Sequence, residues 1–400
     1  MRPVSLSDAI FFNLGDRYIT SVCVFETPCD PRRLRAELAA AAAANPALRE
    51  RVRRRWPGFV AVIDKGFDIE NHVAIVEAPE VVDDQGFVAF VDRLRRIRLP
   101  AGRPPWKAFI VNPAARPGTR SAVIFHFKHG LSDGMRALQT FAAIAGRVDV
   151  ALDPAPVAET SPAELFAGAP NPLVDDGGLA FARLDRRRLA RAGDGDGGAT
   201  GALVGASAAI VGDATLIAPP RPLTGRIAHT RVLMRRRSGE AGDLGNHLET
   251  TFTETREAAP KRRPLLRLPG IEQAQTSSWS QHLVAKALPP IARLAMRIWI
   301  ARFDAMISLI PGPTRPVALG GAGITAVYGV PPLSGPIPLA VAVITYAGTA
   351  HLTVIPGRTA QKTPAAIAAR MLEELERRAD SEPEPATANR DEAPDRTEED

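Results

Sequence analysis

Hydrophobic and polar positions alternate with a period of two along 17–26, RYITSVCVFE, a stretch rich in β-forming residues, and a strand is predicted there. The period changes over 32–45, where Leu34, Leu38 and Ala41 fall on one helical face and Pro46 ends the run. Short strands are predicted over 59–63 and 72–76. A helix over 87–96 carries Phe87, Phe90, Val91 and Leu94 on its apolar side. Strands over 106–111 and 121–128 are separated by the Pro/Gly turn 113–118, and a helix over 135–145 follows. This mixture argues for an α/β or α+β domain over residues 1–150.

The pattern then changes. Residues 151–222 hold a Pro/Ala-rich part, a basic stretch at 183–191, the Gly/Asp run 193–198 and a bland Ala/Gly segment, which reads as a crossover or linker. Periodicity returns in a second region, 223–379. Strands are predicted over 227–234, 248–252, 303–309, 322–328, 339–346 and 351–355, and a helix over 281–301 is broken at Pro289-Pro290. A closing helix over 363–378 has Thr363 as its cap and Pro364 in its first turn. The acidic segment 380–400 is predicted to be a disordered tail. No internal repeat is evident.

Length agrees with this division, since 400 residues at roughly 150 per domain make about two domains. Charge adds something that the total conceals. The net charge is +6, but the tail from Asp380 holds nine acidic and two basic residues, so it carries −7 and the remaining body +13. Such a body favours anionic partners: phosphate-bearing small molecules, acidic lipid surfaces or nucleic acid. Nucleic acid is disfavoured, because aromatics are only 6% of residues and no helix-turn-helix or zinc pattern occurs. The two cysteines, Cys23 and Cys29, suggest a reduced, cytoplasmic protein. The N-terminus lacks the apolar core of a signal peptide, and no unbroken run reaches the ~18 apolar residues of a spanning helix. The nearest candidate, 283–301, is interrupted by Lys286, Pro289, Pro290, Arg293 and Arg297 and reads as amphipathic.

One segment looks like chemistry: SAVIFHFKHGLSDGM, 121–135. Along the strand Val123, Phe125, Phe127 and His129 share a face, so an imidazole stands at the strand's end in line with three apolar side chains. The chain then turns through Gly130 to Gly134. Imidazole, with an unperturbed pKa near ~6.5, accepts a proton at neutral pH. Asp133 can fold back to fix the turn. Lone strand-end histidines are more often structural, and H-x-x-x-D-G spacing alone is a weak signal. His126 faces the other way and reads as a packing or hydrogen-bonded residue. The remaining histidines, His72, His229, His247, His282 and His351, form no metal-ligand spacing, so no metal is expected. GASAA at 205–209 is not a G-x-S-x-G nucleophile elbow. The arginine clusters at 49–55, 183–191 and 231–237 read as solvated faces, with contact to the phosphates of a ligand or to anionic lipid headgroups as the minority reading.

H-x-x-x-D-G after an apolar strand resembles the CoA-dependent acyltransferase superfamily, and the surrounding residues are similar to the bacterial wax ester synthase/diacylglycerol acyltransferase family. They are LSDAIFF at 6–12, NPALRERV at 45–52, FDIENHV at 67–73, RPPWKAFIV at 103–111, ISLIPGPTRPVALGGAGITAVYGVPPL at 307–333 and LAVAVITYAG at 339–348. The resemblance covers most of 1–375 apart from the linker. It implies an α/β fold of two chloramphenicol-acetyltransferase-like mixed-sheet domains with a tunnel between them. It also implies transfer of a long-chain acyl group from acyl-CoA to a diacylglycerol or fatty alcohol. His129 would be the general base, with Asp133 and Gly134 as structural support. Acyl-CoA would be a substrate, no bound cofactor would be needed, and the protein would touch anionic membrane or lipid-droplet surfaces peripherally.

The sequence departs from the family pattern at three places. Lys128 stands where the family has the first histidine of its pair, and Leu309 where it has an asparagine. PRPLTGRIAHTRVLM at 220–234 runs into RRRSGEAGDLGNHLETTF at 235–252 without the helix that normally lies between, so the second domain is expected to be shortened. Two readings follow: a working acyltransferase, or a degenerate homologue that binds lipid without turnover. The sequence carries no signal for acyl length, acceptor or oligomeric state.

Overall fold

The computed structural model describes residues 1–56, 58–78, 81, 83–112, 120–131, 159–193, 198–232, 248–255, 286, 288–332 and 336–381. The helix expected over 135–145, the junction at 233–247 and the tail from 382 onward lie outside the described residues.

Two six-stranded mixed sheets dominate. The first runs β12 (Ala318–Leu319), β13 (Ala322–Val330), β2 (Tyr18–Phe25), β7 (Ala122–Lys128), β6 (Trp106–Val111), β5 (Val73–Val76). The second runs β10 (Leu248–Glu254), β9 (Arg226–Val232), β11 (Ala305–Pro311), β14 (Leu339–Tyr346), β15 (Thr349–Pro356), β8 (Ala180–Asp185). A small antiparallel sheet joins β1 (Arg2–Pro3), β4 (Gly58–Ile63) and β3 (Glu50–Arg55). Among the described strands, β5–β6 and β11 with its two neighbours pair in parallel.

Helices cover these sheets where the apolar period requires it. In α2 (Pro31–Ala44) the Asp30 carboxylate caps the amides of Arg32 and Arg33, Pro31 opens the first turn, and Leu34, Leu38 and Ala41 are buried. Full burial of each leucine stabilises the fold by ~1.5–3 kcal/mol. These residues pack on Cys23, Val123, Phe125 and Phe127. Both cysteines are buried free thiols, pushed up to about 12 by burial. On the other face of the first sheet, α3 (Asp84–Leu94) packs Phe87, Phe90, Val91 and Leu94 against Ile124 and Phe109. The closing helix is Pro364–Asp380, capped by Thr363 as expected, and it buries Ile367, Met371 and Leu375 against the second sheet.

The structure differs from the sequence reading in two places. First, the stretch 151–222 is not bare linker. It supplies β8, which pairs with β15, together with Arg186–Arg191 and a helix at Gly198–Gly212 that enters the second core through Ala202, Leu203, Ala206 and Ile210. That helix is apolar all round and so shows no amphipathic period. Its small residues allow a close approach, and a Cβ on Gly205 would collide with the Arg378 guanidinium. Second, β13 belongs to the first sheet although it lies in the second half of the sequence: Tyr328 pairs with Val22 and Val330 with Thr20. The 49–55 arginine cluster lies mostly on the strand β3, where Arg53, Arg54 and Arg55 are exposed.

The halves are joined by buried polar contacts as well as by β13. The Gly320 amide donates to the Glu37 carboxylate at 2.8 Å, in a turn where Gly320 and Gly321 have φ +56° and +80°, conformations that favour glycine. Arg95, the C-cap of α3, makes a bidentate pair with Asp176, Nη1 to Oδ2 at 2.8 Å and Nη2 to Oδ1 at 2.6 Å, with side-chain exposures of 4% and 0%. His126 is sealed between Thr20 and Ile97: its Nε2–H donates to the Ile97 carbonyl at 3.0 Å and Nδ1 accepts from Thr20 Oγ1 at 2.9 Å. His351 lies beside the rings of Tyr328 and Tyr346. Burial pulls both histidines down to about 4, and for His351 the Arg183 charge acts in the same direction.

Asp176→Ala removes the fully buried carboxylate from Arg95 and leaves it only the partly exposed Asp92, 2.8 Å from its Nε, and urea unfolding should register a loss of ~3 kcal/mol. The pair Arg95→Met with Asp176→Leu should recover most of it. Both buried histidines bind a proton more readily in the unfolded chain, near 6.5, than in the folded one. Stability is therefore complete above that value and is lost as pH falls from about 6.5 toward 4. Unfolding free energies from urea titrations at about pH 8 and pH 5 should differ by ~2 kcal/mol per histidine, and His351→Phe should remove one share.

Candidate active site

β7 delivers His129 one residue beyond its last hydrogen-bonded position, Lys128. Neighbouring segments hold this strand end on both sides. The Lys128 amide donates to the Pro105 carbonyl at 2.9 Å and the His129 amide to the Arg17 carbonyl at 2.8 Å. The turn then closes through the Leu131 amide to the Lys128 carbonyl at 2.8 Å. The imidazole is half-buried and lies flat on the Phe11 ring, with centroids 3.7 Å apart and planes 5° from parallel.

Phe11 belongs to a helix that periodicity did not reveal, α1 (Leu6–Asn13). Ser5 caps it by accepting from the Asp8 amide at 3.2 Å, and its hydroxyl donates to the Asp8 carboxylate at 2.6 Å. The S-x-x-D spacing was the signal that could have found it. Phe12, the next residue, packs over Gly130. A Cβ at Gly130 would stand only 2.5–2.7 Å from the Phe12 ring, so only glycine fits beneath that aromatic. Phe12 also meets Phe59 of β4 at 5.9 Å, and Asn13 accepts from Arg54 of β3 at 2.7 Å. The small sheet thus clamps α1, and α1 sets both the histidine ring and the turn beside it.

Charges surround the site without entering the stack. Lys128, which alternation points away from His129, pairs with Asp16 at 3.0 Å, and Arg98 reaches the same carboxylate at 3.0 Å. Burial works to raise the Asp16 pKa, but these two cations hold it below its usual range. Burial, aided by the Arg293 charge, lowers the Arg17 pKa. Arg293 lies on α7 (Pro289–Ile300), the broken-helix segment of the sequence, which starts at the proline pair.

Asp133 and Gly134 lie outside the described residues. Leu309 turns toward the helix-covered face of the second sheet and packs in its core, not between the sheets. Three residues on, the chain leaves β11 through Gly312, whose amide donates to the Thr345 carbonyl at 2.8 Å and whose place admits no Cβ against that oxygen. His72 donates through Nδ1 to the Trp106 carbonyl at 2.7 Å and stacks with Phe67 and Trp106, and His229 contacts Thr253 at 3.1 Å. Arg183, expected on a solvated face, donates to the Tyr328 hydroxyl at 2.8 Å. Ser207 is fully buried in a helix. Among the described residues no group of three or more His, Cys, Asp or Glu side chains could hold a metal ion.

The profile of the wax ester synthase/diacylglycerol acyltransferase catalytic domain matches residues 5–244, and that of the family's C-terminal domain matches 271–377. Comparison with curated proteins yields no match. Among solved structures, the wax ester synthase/diacylglycerol acyltransferase from Marinobacter aquaeolei VT8 superposes with a TM-score of 0.58 at 15% identity, over 94% of this chain and 99% of that one. Polyketide synthase associated protein 5 from Mycobacterium tuberculosis gives 0.53 at 13% identity, over 95% and 98%. A mutant starter condensation domain of rhizomide synthetase RzmA, in complex with C8-CoA and Leu-SNAC, gives 0.52 at 14% identity, over 94% and 93%. At these identities the structural likenesses establish the fold, two mixed α/β sheets of the condensation-domain type. With both of its domain profiles matched in order along the sequence, the chain belongs to the wax ester synthase/diacylglycerol acyltransferase family.

Proposed function

We propose that this chain moves a long-chain acyl group from acyl-CoA to the hydroxyl of a diacylglycerol or fatty alcohol, with His129 as general base. The observation that carries the reading is the imidazole at the end of β7, held flat on Phe11, in a chain of an acyltransferase family. A neutral ring nitrogen of His129 takes the proton of the acceptor hydroxyl as its oxygen attacks the thioester carbonyl carbon. The carbon–sulfur bond breaks, the imidazolium returns its proton to the departing thiolate, and ester and CoA leave with no acyl-enzyme. Asp133 and Gly134 complete the H-x-x-x-D-G motif and would take the family's supporting role beside His129. Acyl-CoA serves as substrate, in keeping with the C8-CoA complex of the condensation domain. Long-chain acceptors gather in membranes and lipid droplets, which is where the protein would work.

The rival reading, lipid binding without turnover, draws on Lys128 in place of a histidine and on Leu309 turned away from the space between the sheets. Thiol-reagent detection of CoA release, with acyl-CoA and either acceptor, separates the two. His129→Ala should lower turnover by ~10²–10⁴-fold. Equal, slow release by wild type and variant would establish the rival.

The stack gives Phe11 a positioning role. Phe11→Ala frees the ring to tilt, and kcat should fall by about tenfold or more with KM little changed. Phe11→Tyr, which keeps a flat partner, should restore most of the rate. A parallel loss of kcat and melting temperature in both variants would mean that Phe11 serves packing only.

A further inference from the structure

α7 has two apolar faces, and the fold uses one. Ala292 and Ile300 are buried, and Met296 and Trp299 pack into the core between the sheets. Roughly opposite, Ile291, Leu294 and Ile298 stand at helical spacing with exposures of 55%, 59% and 58%, and Leu288 at the cap adds 55%. Isolated exposed apolar side chains are ordinary, but a stripe along a helix is not. Beside it project the exposed Arg293 and Arg297, neither of which pairs with a carboxylate among the described residues. The described part of 286–303 contains no acidic residue.

A second exposed apolar feature flanks the same helix α1. The tip of the β3–β4 hairpin carries Trp56, 69% exposed, directly after the exposed arginines 53–55. Met1 lies against it, its sulfur 3.3 Å from Arg55 Nη1. α1 packs between β4 and α7, so both features border the helix that holds the His129 ring.

We propose that the α7 stripe, with Trp56 as a second anchor, is a docking surface for anionic lipid bilayers. This names the partner of the site proposed above and rests on that reading. Charge complementarity identifies the occupant: aliphatic side chains bordered by unpaired arginines suit a surface with apolar depth and negative headgroups, where tryptophan also settles at headgroup level. No helix among the described residues is long and apolar enough to cross a membrane, so the contact is interfacial. Docking there would present the α1–His129 region to acceptors dissolved in the lipid.

Flotation of the full chain with phosphatidylcholine–phosphatidylglycerol vesicles, and with phosphatidylcholine alone, tests this. Wild type should float with the anionic vesicles. The triple variant Ile291→Ser, Leu294→Ser, Ile298→Ser should partition at least about tenfold less while keeping its circular dichroism and melting temperature. Arg293→Gln with Arg297→Gln should abolish the preference for anionic vesicles. The triple variant should release CoA at the wild-type rate from short, water-soluble substrates, which keeps the two readings separable: flotation that persists without CoA release sinks only the acyltransfer. Equal flotation of wild type and triple variant overturns the docking surface. So does a wild type that fails to float but sediments as a dimer that the triple variant dissolves, which would assign the stripe to a second copy of the chain.

Discussion

Everything in this fold depends on one strand pairing. β13, more than 290 residues after β2 in the sequence, lies antiparallel to it across six matched positions from Ile324–Phe25 to Val330–Thr20. It closes the first sheet, and because it runs directly into β14 it also anchors the second. β2 is buried along its whole length as a result, with α2 packed on one face of its sheet and α3 on the other. Without β13, β2 would be an exposed apolar edge. The first 150 residues therefore hold the histidine but not a complete sheet around it.

That pairing positions the candidate site indirectly. β7 lies next to β2, so fixing β2 fixes the register of β7 and hence the point at which His129 leaves the strand. A one-residue slip would turn the imidazole to the opposite face. The Tyr346 hydroxyl guards the junction: it accepts from the Val317 amide at 2.8 Å and donates to the Ile324 carbonyl at 3.1 Å, tying the end of β14 to the beginning of β13. Strand geometry thus determines where the ring emerges, and α1, pressed down by the small sheet, determines how it lies.

Local pattern made many elements legible. The strand at 339–346, the Thr363–Pro364 helix start and the imidazole at the end of an apolar strand all follow from period and capping. What stayed hidden depended on distant partners. The helix at Gly198–Gly212 looks like linker because its composition is even all round; only the sheet on one side and Arg378 on the other explain its small residues. β8 lies beneath a basic stretch whose arginine at 183 makes sense once Tyr328 is seen beside it. No periodicity in 322–330 says which sheet it joins. Phe11 was hidden for a different reason: a helix of eight residues offers too few turns for a period to declare itself.

Three histidines, two at β7 in the first sheet and one on β15 in the second, show how burial separates roles that the sequence alone leaves open. His126 and His129 are three residues apart, and alternation sends them to opposite faces of β7. His126 is fully enclosed with both ring nitrogens engaged, so it is neutral and has no free position for a substrate proton. His351 is buried among aromatic rings and kept neutral by the same desolvation. His129 differs from both: it is half-buried, held by ring stacking and by its backbone amide, at a strand end where the chain turns. Stacking on a hydrocarbon ring restrains the imidazole plane while leaving its edge, where both nitrogens lie, clear of that partner. Of the three, only His129 joins a restrained ring plane to partial exposure at a strand end.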